Sequence, residues 1–236
     1  MRKTSRSISA EVIRRFSVLS SAVLVASTLC LFAPGTALAS CNPGRANDGN
    51  YYWTWVDQAP GYTVNGVYSS IWNYQPYVPS GKFSYSWVML TAAANWTWAQ
   101  IGNYEYSGGR EVYLQYADGK SPAHGASFGA QPLNTLTPYD VGYGVGTFSF
   151  QVNGSLVFTH SASWTPTDGE LSSEITSLNT QMMGATQNTV SFNQNQISYN
   201  GSWHTLSSSL HNSNSTYFGI SGNGSRFLTW DKACAS

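Results

Sequence analysis

The 236-residue chain predicts a single antiparallel β-sandwich domain. Three observations carry that expectation. Beyond residue 39 the chain is dominated by Tyr, Trp, Phe, Val, Thr, Ser, Asn and Gly, residues of strands and turns, and charged helix formers are scarce. No long stretch repeats with the 3.6-residue period of an amphipathic helix. Short runs of alternating polarity instead recur between turn residues, the pattern of a sandwich.

In chain order the predicted strands are Gly66–Tyr74, Phe83–Thr91, Thr97–Tyr106, Glu111–Tyr116, Gly146–Val152, Ser155–His160, Leu171–Ser177, Thr189–Ser198, Tyr217–Ile220 and Ser225–Trp230. The sharpest local signal is Asn153-Gly154 between two alternating runs. That dipeptide favours a type I′ turn, whose twist matches the flanking strands. Ala117–Gly144, rich in Gly, Pro and Ala, reads as a long loop with functional potential. Trp53, Trp55, Trp72 and Trp164 read as core packing. Glu105 and Glu111, which flank the Ser107-Gly108-Gly109 turn, read as surface residues.

The period of two sorts side chains onto faces. Trp98, Gln100, Gly102, Tyr104 and Tyr106 share one side of their strand, and Ala99, Ile101, Asn103 and Glu105 share the other. Phe83, Tyr85, Trp87, Met89 and Thr91 point together, as do Glu170, Ser172 and Glu174. One sheet face thus interleaves aromatic rings with amide, hydroxyl and carboxyl groups, which describes a groove better than a core.

Residues 1–39 read as a secretory signal: five basic residues, an apolar run from Val18 to Ala33, a Pro34-Gly35 break, and Ala37-Leu38-Ala39 as the cleavage pattern. The run is too short for a membrane span. Without it the chain keeps six basic and ten acidic residues, a net charge of −4. That balance argues against a nucleic-acid partner, which needs clustered Lys and Arg. Cys30 leaves with the leader, so the exported domain, residues 40–236, retains Cys41 and Cys234. In an oxidising compartment the two can pair as a disulfide. Leu38-Ala39-Ser40-Cys41 also fits a lipobox, which would instead anchor Cys41 to lipid on an outer membrane face. No integral membrane domain is expected, and the domain should be a monomer. The histidines have no metal-ligand spacing, so neither metal nor cofactor is expected. A Ser-His-Asp triad is not expected either.

Three segments, Gly66–Pro79, Phe83-Ser84-Tyr85-Ser86-Trp87-Val88 and Ala99-Gln100-Ile101-Gly102, resemble the neprosin domain and the fungal glutamic peptidases, or eqolisins. Glu170-Leu171-Ser172-Ser173-Glu174-Ile175 and Thr180-Gln181-Met182-Met183-Gly184 extend the resemblance in order and spacing to about residue 197. It implies a jelly-roll-like or concanavalin-like sandwich that hydrolyses peptide bonds with a Gln/Glu pair. Gln100 matches the catalytic Gln of the eqolisins, where neprosins carry Glu. Glu170 matches the first Glu of the eqolisin pattern, and Glu174 has the better-matched surroundings. The resemblance leaves the base open between the two. Trp87, Trp98 and Tyr104 would contact substrate. Thr91 and Tyr104 stand where eqolisins carry supporting Asp residues, which removes the grounds for a strongly acidic optimum.

A Glu carboxylate would take a proton from the attacking water, and the Gln amide would donate to the oxyanion. Two glutamates on one face would repel and raise one pKa. Two rival readings fit the same face. One is a non-catalytic polysaccharide-binding module, with aromatic strips stacking on sugars. The other is a retaining glycosidase with two carboxylates about 5–5.5 Å apart.

Overall fold

The computed structural model describes residues 41–92, 97–119 and 123–234; the predicted signal lies outside them. Every regular element among these is a strand. They are β1 (Tyr52–Gln58), β2 (Val64–Trp72), β3 (Phe83–Ala92), β4 (Thr97–Tyr106), β5 (Gly109–Asp118), β6 (His124–Ser127), β7 (Leu136–Gly144) and β8 (Thr147–Val152). Then follow β9 (Ser155–Ser161), β10 (Asp168–Ile175), β11 (Gly184–Ala185), β12 (Asn188–Tyr199), β13 (Ser202–Thr205), β14 (Leu210–Asn212), β15 (Phe218–Asn223) and β16 (Arg226–Asp231).

They form two sheets packed face to face. The seven-stranded sheet runs β14-β1-β10-β3-β4-β5-β6, and the nine-stranded sheet runs β15-β16-β11-β12-β2-β7-β8-β9 with β13 beside β12. Pairing is antiparallel apart from a single parallel bridge between β11 and β16, Ala185 to Asp231. The expected all-β sandwich is therefore the observed fold. Its core lies between the sheets. Val56, Val88, Leu90, Ala99, Ile101, Leu114 and Leu171 come from one side, and Val67, Ile71, Tyr139, Val141, Phe148, Phe150, Phe192, Ile197 and Phe227 from the other.

The predicted hairpin turns as expected. Val152 pairs with Ser155, and Asn153 and Gly154 both take positive φ, 53° and 72°, the signature of a type I′ turn. The stretch read as a long loop does not stay a loop. It contains β6 and β7, and β7 fills the gap between β2 and β8, burying Thr137, Tyr139 and Val141. Gly, Pro and Asp in Leu136–Gly144 conceal the strand. Pro138, whose peptide nitrogen cannot donate to the ladder, is tolerated because the pairing with β8 begins only at Tyr139.

The ends of the domain are stapled together. Cys41 and Cys234 form a disulfide with Cα atoms 5.6 Å apart, which uses the sulfur that a lipid anchor would need. Beside it Arg45 pairs with the buried Asp231 and lies over the rings of Tyr217 and Phe218. The buried Gln181 accepts from the backbone N–H groups of Cys41 at 3.0 Å and Tyr77 at 2.7 Å and donates to the Tyr74 hydroxyl at 3.2 Å. The Thr180–Gly184 motif thus holds the N-terminal segment against the sandwich. Among the described residues, no helix is long and apolar enough to cross a membrane.

Candidate active site

The outer face of the seven-stranded sheet is the aromatic, polar face that parity predicts. Register sets it out in rows. Asp57, Glu170, Met89, Gln100 and Gln115 lie across five strands in one row. Trp55, Ser172, Trp87, Gly102 and Tyr113 form the next. Trp53, Glu174, Tyr85, Tyr104 and Glu111 form the third. Gln100, Glu170 and Glu174 therefore share one sheet surface. β10 and β4 flank β3, so Gln100 and Glu170, in one row, stand roughly 10 Å apart at the backbone, whereas Glu174, two rows along, stands roughly 16 Å from Gln100.

Side-chain directions decide which groups approach. Gln100, 7% exposed, sends its Nε2 to the Tyr113 hydroxyl and to Gln115 Oε1, each at 3.1 Å. Tyr113 stands in the middle row, so Gln100 leans toward it. Glu174 leans toward the same row from the other side, where its Oε2 accepts from the Trp87 indole N–H at 3.1 Å. The Glu174 charge also adds to the burial that pushes the Tyr113 phenol well above its ordinary range. Gln100 and Glu174 thus bond two residues of one row, Tyr113 and Trp87, which Gly102 separates. Gly102 is required there: a Cβ would meet Ser86 O at 1.9 Å and Trp87 Cα at 2.6 Å. This close approach accounts for the glycine of the Gln-x-Gly sequence.

Glu170 stands in the Gln100 row, with Met89 between them. It faces Asp57 across β1, and its pKa is pushed well up by burial first, then by Asp57, Asp168 and, least, Glu174. Asp57 in turn pairs with His211 Nε2 at 3.1 Å, and His211 stacks on Trp55. Neither glutamate lies on a sheet edge, since β10 is paired on both sides. Mutual repulsion is not the main cause of the shifts. Burial raises Glu174 to about 7, and the Trp87 hydrogen bond opposes it. Four residues of strand separate the two glutamate backbones by ~13 Å.

The predicted substrate contacts separate in space. Tyr104 lines a cavity of about 440 Å³ together with Phe83, Tyr85, Tyr113, Gln115 and Ser127. Trp87 is 4% exposed and serves Glu174 from below. Trp98 shares the face one row beyond Gln100 and does not line the cavity. Three of the tryptophans read as core are not in it. Trp53, 37% exposed, pairs across from Glu174, Trp55 pairs across from Ser172, and Trp72 is half-buried opposite the exposed Leu136. Trp164 alone packs on the core, against Phe148.

Glu105 is not a surface residue. It is fully buried, accepts from Gln75 Nε2 at 3.2 Å, and is raised by burial to about 9. The sequence does contain Gly125-Ala126-Ser127-Phe128-Gly129, the spelling of a serine nucleophile elbow. Gly125–Ser127 lies on edge strand β6 without a following helix, and Ser127 Oγ donates to Glu111. Tyr113, Gln115 and Trp55 also stand on this face; the sequence assigns no role to the first two and suggests a core position for Trp55. The Glu111–Tyr116 strand was legible, but nothing in its spelling paired Tyr113 with Gln100.

No family model matches the chain, and no curated protein matches it in sequence. Solved structures do match. Scytalido-glutamic peptidase with a transition-state analogue inhibitor aligns with a TM-score of 0.57 and 11% identity, over 79% of this chain and 100% of that one. SCP-B, described as a member of the eqolisin peptidases in a complex with the tripeptide Ala-Ile-His, gives 0.57, 12%, 79% and 100%. This chain has the β-sandwich fold of the glutamic peptidases. At such identity the likeness is one of fold, and no sequence match ties the chain to the neprosin domain.

Proposed function

We propose that this chain is an exported endopeptidase of the glutamic type, in which Glu174 activates water and Gln100 stabilises the oxyanion. The observation that carries the reading is that the Gln100 amide and the Glu174 carboxyl share one sheet face and each bond a residue of the row between them, Tyr113 and Trp87. Glu174 carboxylate removes a proton from water as the water oxygen attacks the scissile carbonyl. The resulting Glu174 acid returns that proton to the departing amine. Both amide protons of Gln100 are engaged in the resting enzyme, by Tyr113 and Gln115. The developing oxyanion replaces one of these acceptors, a charge-assisted exchange that favours the transition state. Tyr113 accepts from Gln100 and stays neutral because burial raises its pKa, so its own O–H is a second donor toward the same oxygen.

Glu174 must be ionised to act as base. With its pKa near 7, turnover falls as pH drops below about 7, which places the working range near neutrality. The test is hydrolysis of an unfolded protein by the purified chain between pH 3 and 8 in the presence of a chelator. Turnover that survives both Glu174→Gln and Gln100→Ala would remove the reading.

One observation favours a polysaccharide-binding module instead. Trp53, which pairs across from Glu174, and Tyr51 are 37% and 60% exposed, as rings that stack on sugars must be. Retention on insoluble polysaccharide, lost in Trp53→Ala and accompanied by no peptide turnover at any pH, would select that function.

A further inference from the structure

The cavity beside Gln100 has a chemistry of its own. Phe83, Tyr85, Tyr104 and Tyr113 supply four rings, with centroids 5.2 Å apart for Tyr85 and Tyr113 and 5.6 Å for Tyr104 and Tyr113. At the outer end stands Glu111. Its carboxylate accepts from the Tyr106 hydroxyl at 3.0 Å, the Tyr104 hydroxyl at 3.3 Å, and Ser127 Oγ. Tyr104 and Ser127 are themselves cavity walls, so this carboxylate sits on the rim.

Three hydroxyl donors lower the Glu111 pKa, those of Ser127 and Tyr106 most, so the group is an anion throughout the neutral range. Its sequence neighbour Arg110 points away, donating to Gln131 O at 2.6 Å and Gln75 Oε1 at 2.8 Å. Among the described residues the ion pairs are Arg45–Asp231 and His211–Asp57, and none involves Glu111. An aromatic wall with an unneutralised carboxylate at its mouth attracts a cation, through ring quadrupoles and charge-assisted hydrogen bonds together. Gln100 bonds two cavity residues, Tyr113 and Gln115, so a side chain held here lies next to the proposed scissile bond.

We infer that this cavity is a specificity subsite for an arginine or lysine side chain of the polypeptide substrate, with the cationic head against Glu111 and the stem on Phe83, Tyr85 and Tyr104. The inference rests on the peptidase reading for its biological meaning but not for its test. The test is a titration of the full chain with N-acetyl-argininamide and with N-acetyl-citrullinamide, its neutral isostere, read by intrinsic fluorescence at pH 7.5. The arginine compound should bind at least about fivefold tighter. That advantage should shrink to within twofold in Glu111→Gln and in 0.5 M salt.

Equal affinity for the two compounds in the unmodified chain overturns the subsite, whatever becomes of the variant. So does a preference that survives in a folded Glu111→Gln. Binding is measured here without turnover. A chain that prefers arginine yet hydrolyses nothing fails the peptidase reading alone, and one that hydrolyses peptides without regard to charge fails the subsite alone.

Discussion

Glu105 and Glu174 are carboxyls of one sheet that face opposite ways, and burial raises both. On the core side Glu105 is enclosed, and its pKa reaches about 9 despite the nearby Arg110 and the Gln75 hydrogen bond. On the groove side Glu174 keeps some solvent and one donor, the Trp87 indole, and stops at about 7. The same desolvation locks one acid in its neutral form and leaves the other able to exchange a proton near neutrality. A perturbed carboxyl therefore marks a site only where a substrate can reach it.

The strongest way to break this contrast is to remove each groove acid in turn. Glu174→Gln should lower kcat/KM by ~10²–10⁴-fold, the usual share of a general base, with an unchanged or higher melting temperature. Glu170→Gln should cost less than about tenfold, because burial beside Asp57 and Asp168 raises its pKa well above the ordinary value and keeps it from serving as a base. A reversal of those two losses in a steady-state assay would move the base to Glu170.

The adjacent residue of the same strand should behave in the opposite sense. Leu171 is fully buried in the core, so Leu171→Ala should cost about 2–5 kcal/mol in urea unfolding. Its residual folded fraction should keep its turnover number.

Next in size is the pH dependence of stability. Glu105 holds its proton in the folded state up to about pH 9, whereas the unfolded chain releases it near its ordinary value of 4.5. Between those values the folded state binds the extra proton, so stability falls as pH rises through that window. Glu105→Gln should flatten the decline in unfolding curves taken at pH 5, 7 and 9. An unaltered slope would show that Glu105 is solvated.

The smallest effect sharpens the groove side. The Trp87 N–H stabilises the Glu174 carboxylate and lowers its pKa. Trp87→Phe should therefore shift the acidic limb of the pH–kcat/KM profile upward by up to about one pH unit. A limb that stays in place would dissociate it from Glu174.

Part of this contrast was readable in advance. Alternation placed Glu105 with Ala99, Ile101 and Asn103, and those residues do face the core. The adjacent Ser-Gly-Gly turn suggested a surface position, but parity was the stronger constraint, because a buried sheet face admits no one-residue slip. Trp53 and Trp55 went the other way. Large apolar rings suggested a core, whereas pairing with Glu174 and Ser172 puts them on the groove. β7 escaped notice because Gly and Pro weaken local strand preference, and its neighbours on both sides override that preference.

The order of residues alone settled the strand period, the Asn153-Gly154 turn and the company each side chain keeps on its own strand, since these depend on contacts a few residues long. Which side chains meet across the groove face was decided only by the assembled sheet. Strands 87 residues apart bring Trp87 to Glu174, and no local rule links a segment to a partner so far along the chain; Tyr113 meets Gln100 across the adjacent β4–β5 pair, 13 residues away. The separation of one carboxyl into a closed core and another into an open groove is likewise tertiary. It depends on which face the second sheet covers.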